Sequence, residues 1–235
     1  MYRPLIAFED VRNLPLPDLA LKLLGKLDTG NVSANNTFRG FAEAMRDDTQ
    51  PDEPILLNRL SDAWAWLESH GLIGPGTGAG SSWQRVTGPG LELSHDPKAM
   101  SKVWAADRLA GPLDPLLSSA HSNFSLGDYE TACFAALKAV EVEVRRVAGL
   151  PDETIGVHLM RKAFNTKDGL LRDTAAEGGE NEATASLFAG AIGAYKNPTS
   201  HRTVQFDDPM EAAEVIHLAD LLLRIVHRAE KRLTP

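Results

Sequence analysis

Hydrophobic positions recur at helical spacing along most of the chain. Three such segments lie in the N-terminal part, at residues 14–27, 35–45 and 54–73. In the third segment the apolar side chains fall on one helical face, and Gly71 is placed to cap its C-terminal end. That face comprises Leu56, Leu57, Leu60, Ala63, Trp64 and Leu67. The pattern predicts three short helices.

A glycine-rich stretch, GPGTGAG at residues 74–80, follows the third predicted helix. It has no Lys-Ser or Lys-Thr pair and no helix opens after it, so we interpret it as a wing loop and not as a phosphate-binding loop. SWQRVT (82–87) and GLEL (90–93) have the composition of two short strands around turns. Three helices followed by a small ribbon is the pattern of a winged helix.

The second half of the chain is more strongly helical. Residues 128–150 carry one long apolar stripe, with Asp128 as the expected N-cap and Gly149 as the expected stop. Cys133 falls in the middle of that stripe, which indicates a core position. Further helices are predicted at 151–164, 183–195 and 207–233, the last with its own stripe of Ala212, Val215, Ile216, Ala219, Leu222, Leu223 and Val226.

These patterns predict a mainly α protein with two domains. We expect a winged-helix-like domain at residues 1–96, a connecting helix or linker at 97–120, and an all-α helical bundle at 121–235.

Composition narrows the classes of function. The formal net charge of −8 argues against a simple cationic sheath on nucleic acid, although it leaves room for a local basic pocket. No apolar run reaches the length of a membrane span, and the N-terminus lacks the pattern of a signal peptide, so we expect a cytoplasmic protein with no membrane partner. Cys133 is the single cysteine, which excludes an intrachain disulfide. The histidines show no metal-ligand spacing, and we expect neither a metal nor another cofactor.

The predicted third helix would be the reading helix of a DNA-binding winged helix. Its one Lys or Arg is Arg59, beside Asp62 and Glu68, and residues 1–96 hold 8 Lys+Arg against 13 Asp+Glu. A DNA partner and a protein partner both stay open for this domain, and the acidic balance favours protein.

A polar segment separates the last two predicted helices. We call residues 196–202, KNPTSHR, the polar loop. One interpretation is a capping turn, because Pro198 disfavours helical backbone at the preceding residue and Thr199 or Ser200 can cap the next helix.

A capping turn does not account for the three basic side chains of the polar loop. A histidine can move a proton near neutral pH, and cations stabilise charge that builds on a phosphate. His201 between Lys196 and Arg202 is therefore a candidate site for phosphodiester chemistry.

A second polar strip runs beside the apolar stripe of residues 128–150. Lys138, Glu141 and Arg145 are spaced three and four residues apart, as in a salt-bridged helix surface. The alternative is that Glu141, with Lys138, supports the polar loop and orients a catalytic group there.

The C-terminal half is similar to the Ymh-type family of uncharacterised bacterial and phage proteins. The resemblance runs from about residue 122 to 226, in four ordered blocks. The blocks are GDYETACFAALKAVEVEVRRVAGL, GVHLMRKAF, LFAGAIGAYKNPTSHR and DDPMEAAEVIHLADLLLRI.

The helix, polar loop and helix also resemble the HEPN superfamily, the α-helical domains of toxins, abortive-infection proteins and other antiviral defence ribonucleases. Its signature is an Arg, often followed by Asn, then a His after four to six residues. Here Lys196 stands in the Arg position, Asn197 follows it, and His201 closes the motif.

The HEPN resemblance implies a metal-independent endoribonuclease in which a homodimer joins two motifs into one cleft and RNA is the substrate. His201 would be the general acid or base, Lys196 and Arg202 would hold the phosphate, and Asn197 would orient the histidine or the backbone. Two alternatives stay open. One is a non-catalytic HEPN-like module that binds nucleic acid or a partner, because Lys196 replaces the arginine. The other is a DNA-binding regulator whose helical half dimerises.

Overall fold

A computed structural model of the chain describes residues 4–27, 30–77, 83–197 and 206–233. The described chain is mainly helical, which confirms the predicted fold class. It divides into two compact units, residues 1–100 and 101–235.

The N-terminal unit combines short helices with a small sheet. The helices are α1 (Phe8–Asn13), α2 (Leu16–Leu24), α3 (Ala34–Asp47), α4 (Glu53–Ser69) and α5 (Gly88–Leu93). The strands are β1 (Asn31–Val32), β2 (Ile73–Pro75) and β3 (Gln84–Val86), which pair antiparallel in the order β1-β3-β2. A sixth helix, α6 (Ala99–Leu109), spans the border between the units.

The apolar face predicted for the third helix is the buried face of α4. Leu56, Leu60 and Leu67 are fully enclosed in the core of the N-terminal unit. After the helix, Gly71 adopts a positive φ of 66°, and Leu72 N–H donates to the Leu67 carbonyl. This is the left-handed cap for which glycine is favoured, as the sequence predicts.

The predicted ribbon is present but uses a different second strand. GLEL, expected to be a strand, lies in α5, because the Thr87 hydroxyl accepts a hydrogen bond from Gly90 N–H and caps that helix. β3 pairs with β1 on one side and on the other with β2, Ile73–Pro75, whose first residue lies in the segment predicted as the preceding helix. α4 ends at Ser69, and the chain is already extended at Ile73.

The C-terminal unit is an all-α bundle. Its helices are α7 (Ser118–Ser125), α8 (Tyr129–Val147), α9 (Gly156–Ala163), α10 (Gly178–Ala191) and α11 (Pro209–Leu233). A 3₁₀ turn, Pro115–Leu117, precedes α7, and a π-helical turn, Ile192–Lys196, continues α10.

α8 and α11 form the centre of the bundle, and their predicted apolar stripes are the faces they bury against each other and their neighbours. Asp128 caps α8 by accepting from Thr131 N–H, and Gly149 ends it with a φ of 58°, both as predicted. Cys133 is fully enclosed, and burial raises the pKa of its thiol to about 12. Each large aliphatic side chain buried here contributes about 1.5–3 kcal/mol.

Several helical boundaries differ from the sequence prediction, and α10 begins at Gly178 and not at residue 183. α9 begins at Gly156 and not at Pro151, because residues 151–153 form a turn and Gly156 takes a positive φ of 61°. α7 has no counterpart among the predicted helices; it begins in the predicted connector and continues into the predicted bundle. Its sequence, SSAHSNFS, has few apolar residues, and Ala120 and Phe124 are the two it buries.

Among the helices of the described residues, none is both apolar enough and long enough to cross a bilayer.

Candidate functional site

The C-terminal end of α10 brings a lysine into the helical bundle. The helix continues into the π-helical turn Ile192–Lys196, in which Ile192 is fully buried and Tyr195 packs against the core. Lys196 is the last residue of this turn, and its side chain is only 15% exposed to solvent. Single π turns within helices occur frequently at functional sites.

Lys196 meets a buried carboxylate of α8. Its Nζ lies 3.2 Å from Oε2 of Glu141, whose side chain is 6% exposed. The other carboxylate oxygen of Glu141 accepts a hydrogen bond of 3.1 Å from the Arg145 guanidinium, one helical turn further on. Arg145 Nε also donates to the Thr154 carbonyl, at 3.1 Å. We call Glu141, Arg145 and Lys196 the buried charge cluster.

The two contacts of Glu141 differ in geometry. Oε1 has an aligned hydrogen bond with Arg145, whereas Oε2 is inaccessible and faces Lys196 as an ion pair without an aligned hydrogen bond. The Lys196 ammonium also lies 5.8 Å from the centre of the Phe134 ring, within range of a cation–π contact. One carboxylate between two cations leaves the buried charge cluster with a formal charge of +1.

Asn197 lies next to the start of α9. A Cβ built on Gly156 would lie 3.7 Å from Asn197 Oδ1, an ordinary van der Waals distance, so Asn197 lies against this residue. The positive φ of Gly156 favours glycine at this position. Of the first two residues of the polar loop, Lys196 thus contacts α8 and Asn197 lies beside the start of α9.

The predicted site residues fall into three groups. Glu141 and Lys196 are in contact, and Asn197 is adjacent to them. Lys138 is exposed and makes no hydrogen bond or ion pair with another described residue. His201 and Arg202 lie outside the described residues, so their placement stays a prediction.

Arg145 and the Thr154 carbonyl belong to this arrangement although the sequence did not assign them to it. The spacing of Glu141 and Arg145, four residues apart on one helix, was the available signal for the first contact. The salt bridge that the spacing of the strip indicates is present between Glu141 and Arg145, but Glu141 is buried and not at the surface, and its carboxylate also contacts Lys196.

A second polar network ties α8 and α11 to the segment before α7. His227 lies between two carboxylates, with Nδ1 3.3 Å from Asp114 and Nε2 3.4 Å from Glu143. Glu143 also accepts two hydrogen bonds from Arg146, and the Arg146 guanidinium, with a smaller contribution from His227, holds the pKa of Glu143 below its usual range. No group of three or more His, Cys, Asp or Glu side chains in the described parts of the chain is arranged to hold a metal ion.

In the N-terminal unit, Arg59, the basic side chain expected to face DNA, has a different partner. Arg59 donates from Nε to the Val11 carbonyl at 2.6 Å and from its terminal nitrogen to the Leu14 carbonyl, so it binds the C-terminal end of α1. The exposed side chains along α4 include no cation; they are Pro54, Ile55, Asn58, Ser61, Asp62, Ala65, Glu68 and Ser69.

Comparison with known proteins gives one match. Residues 114–226 match the model of a family described as a protein of unknown function, Hypoth_ymh. This match confirms the resemblance expected for the C-terminal half. No curated protein and no solved structure matches the chain.

Proposed function

We propose that the C-terminal unit is a HEPN-like, metal-independent endoribonuclease. Residues 114–226, which lie in this unit, match a family of unknown function. Its active segment would be the polar loop. The observation that carries this proposal is the ion pair between Glu141 and Lys196, which lies where the chain enters that loop.

A buried ion pair is an unusual way to end a helix in an apolar bundle. Removing two charges from water costs several kcal/mol per ion, and their attraction offsets this cost only with good geometry. A simple capping turn at 196–202 would not require Lys196 to be directed inward onto Glu141. A catalytic segment would require such a contact at its first residue, because catalytic groups act only when they are held in position.

The reaction proposed is transesterification within RNA. The ribose 2′-oxygen attacks the adjacent phosphorus, a bond forms between them, and the bond from phosphorus to the 5′-oxygen breaks. The 2′-hydroxyl proton passes to a base, and the leaving 5′-oxygen receives a proton from an acid. In this proposal His201 supplies one of these transfers, while Lys196 and Arg202 stabilise the charge on the phosphate.

Glu141 has a positioning role in this scheme. It fixes Lys196, and through it the start of the polar loop, and the net positive charge of the buried charge cluster favours a nearby phosphate. Asn197, held beside Gly156, would orient the histidine or the loop backbone.

A homodimer completes the proposal. α10 buries Phe188 and Ala189 on one side and still exposes apolar or small residues on the other. Leu187 is 43% exposed there, and a Cβ added to Gly190 would meet no atom within 4 Å, so the fold of one chain does not require a glycine at that position. The exposed positions are Ala183, Leu187, Gly190 and Ala194, and a second copy packed on them would bring two polar loops together.

A non-catalytic binding module is the second candidate. The observation that favours it is the same ion pair, because a lysine that is paired with Glu141 serves a structural purpose without any chemistry. For the N-terminal unit we propose a protein partner in preference to DNA, since α4 exposes Asp62 and Glu68 and Arg59 is bound to α1.

The test is RNA cleavage by the full chain with EDTA present. We expect the wild-type protein to cleave RNA and leave cyclic phosphate ends, and we expect His201→Ala to lose that activity. His121→Ala is the matched control, because His121 is an exposed histidine of the same unit on α7. Circular dichroism should show all three proteins folded. Full cleavage by a folded His201→Ala variant would exclude His201 as the acid or base, and a wild-type protein that binds RNA without cleaving it would favour the binding module.

A further inference from the structure

The N-terminal unit contains a cleft that the proposed nuclease activity does not use. The cleft has a volume of about 410 Å³, within the range of small-molecule sites. Its walls come from four places in the fold. Leu27 follows α2, Val32 is in β1, Thr37 is in the first turns of α3, and Trp83 directly precedes β3.

These walls are held by backbone hydrogen bonds. β1 pairs with β3, and the Trp83 carbonyl accepts a hydrogen bond of 2.9 Å from Gly76 N–H. α3 begins at Ala34 with Ser33 as its cap, which fixes the first turn of the helix beside the strand. The walls of the cleft are therefore anchored to regular elements of the N-terminal unit.

Two large apolar side chains that line the cleft are exposed: Leu5 is 42% exposed and Trp83 is 36% exposed. By contrast, Trp64 of the same unit is almost fully buried. Trp83 offers the cleft a rigid apolar surface on which a flat ring can lie at low entropic cost.

The charge of the cleft differs from that of its unit. Residues 1–96 contain 13 acidic and 8 basic side chains, yet among the described residues lining the cleft Lys26 is the one charged group. The remaining polar lining consists of neutral amides and hydroxyls, including Asn36 and Thr37. A ligand here meets a cation and neutral hydrogen-bonding groups next to apolar walls.

We propose that this cleft binds a small organic anion with an apolar ring, the ring lying against Trp83 and the acid group beside Lys26. Charge-assisted hydrogen bonds from an ammonium to a carboxylate or sulfonate are stronger than neutral ones. Lys26, the one charged group among the described lining residues, favours an anionic ligand, and the cleft volume limits the ligand to one or two rings.

The experiment uses two fluorescent probes of similar shape on the full chain. Anilinonaphthalene sulfonate carries an acid group, and phenylnaphthylamine lacks it. We expect the wild-type protein to bind one sulfonate probe per chain. Lys26→Glu should weaken the binding of the sulfonate probe by about tenfold and leave the affinity for the uncharged probe within about twofold of the wild-type value. Trp83→Ala should weaken the binding of both probes.

Lys98→Glu is the matched control, because Lys98 is an exposed lysine of the same unit that does not line the cleft. Thr37→Trp, which fills the cleft, should abolish binding of both probes while near-ultraviolet circular dichroism shows a folded protein. The proposal is overturned if the wild-type protein binds neither probe, if Lys26→Glu and Lys98→Glu have equal effects, or if Trp83→Ala and Thr37→Trp both retain binding.

Discussion

Replacing Glu141 by glutamine tests whether the buried charge cluster holds the bundle together at the polar loop. The substitution keeps the shape of the side chain and removes its charge, so Lys196 and Arg145 lose their shared counter-ion. Removing one partner of a buried ion pair typically costs about 3–5 kcal/mol. Two features reduce that cost here. The amide oxygen of glutamine can still accept from Arg145, and both cations retain 15% exposure through which water can reach them.

We therefore expect Glu141→Gln to lower the free energy of unfolding by about 2–3 kcal/mol. With a urea dependence of about 2–3 kcal/mol per molar, the midpoint should fall by about 1 M. Urea titration of the full chain by circular dichroism gives this value, and hydrogen exchange of peptides from α8 assigns the loss to the C-terminal unit.

A double-mutant cycle separates the ion pair from general damage. Lys196→Met removes the second charge, so the double variant should be more stable than the sum of the single effects predicts, by about 1–3 kcal/mol. Glu214→Gln is the matched control, because Glu214 pairs with Arg108 on the surface and should change stability by less than about 0.5 kcal/mol. If Glu141→Gln behaves like this control, or if the two single effects add, the buried charge cluster does not stabilise the fold.

Four further predictions follow from other features. Lys196→Ala should slow RNA cleavage about a hundredfold, whereas Lys196→Arg should keep or raise it; equal, wild-type rates for both would show that position 196 does not act on the phosphate. Leu187→Glu should convert a homodimer into a monomer in light scattering, and a wild-type protein that is monomeric at about 50 μM would contradict the composite cleft. Arg146 holds the pKa of Glu143 below its ordinary value of 4.5, so this carboxylate contributes stability above pH 4.5 that is lost as the pH falls through its pKa in the folded protein. In urea titrations at different pH, Glu143→Gln should lose this part of the dependence of stability on acid pH. An unchanged dependence would show that Glu143 does not contribute it. Cys133 should resist thiol reagents in the native protein and react after unfolding, since burial raises its pKa to about 12; fast native labelling would show that α8 opens readily.

The parts of the fold that the sequence predicted well are those with a long repeat. The stripes of α8 and α11 extend over many turns, and Asp128 and Gly149 are strong capping residues, so the pattern and the caps agree. Short elements were predicted poorly. The three residues of β2 cannot establish a period, and β2 begins only four residues after α4 ends at Ser69.

The candidate site shows the same limit for polar contacts. The hydrogen bond between Arg145 and Glu141 is local and can be read from their spacing on one helix. The contact between Glu141 and Lys196 joins two helices, and it depends on how α10 and its π-helical turn pack against α8. Periodicity assigns side chains to the faces of one helix but does not determine which residues of another helix they meet. Glu141 lies beside an apolar stripe, and sequence pattern alone left its burial undecided.

The π-helical turn Ile192–Lys196 has a consequence for changes in chain length. Such a turn holds one residue more than the α-helical turn it replaces. Deleting one residue from it would leave a regular α-helical turn that covers the same angle with one residue fewer, so the residues after the turn would keep their side of the helix. Phe188, which precedes the turn, would keep its packing, and Lys196 would still face Glu141. A relative whose aligned sequence has a one-residue gap at this turn would thus share both the bundle and the ion pair.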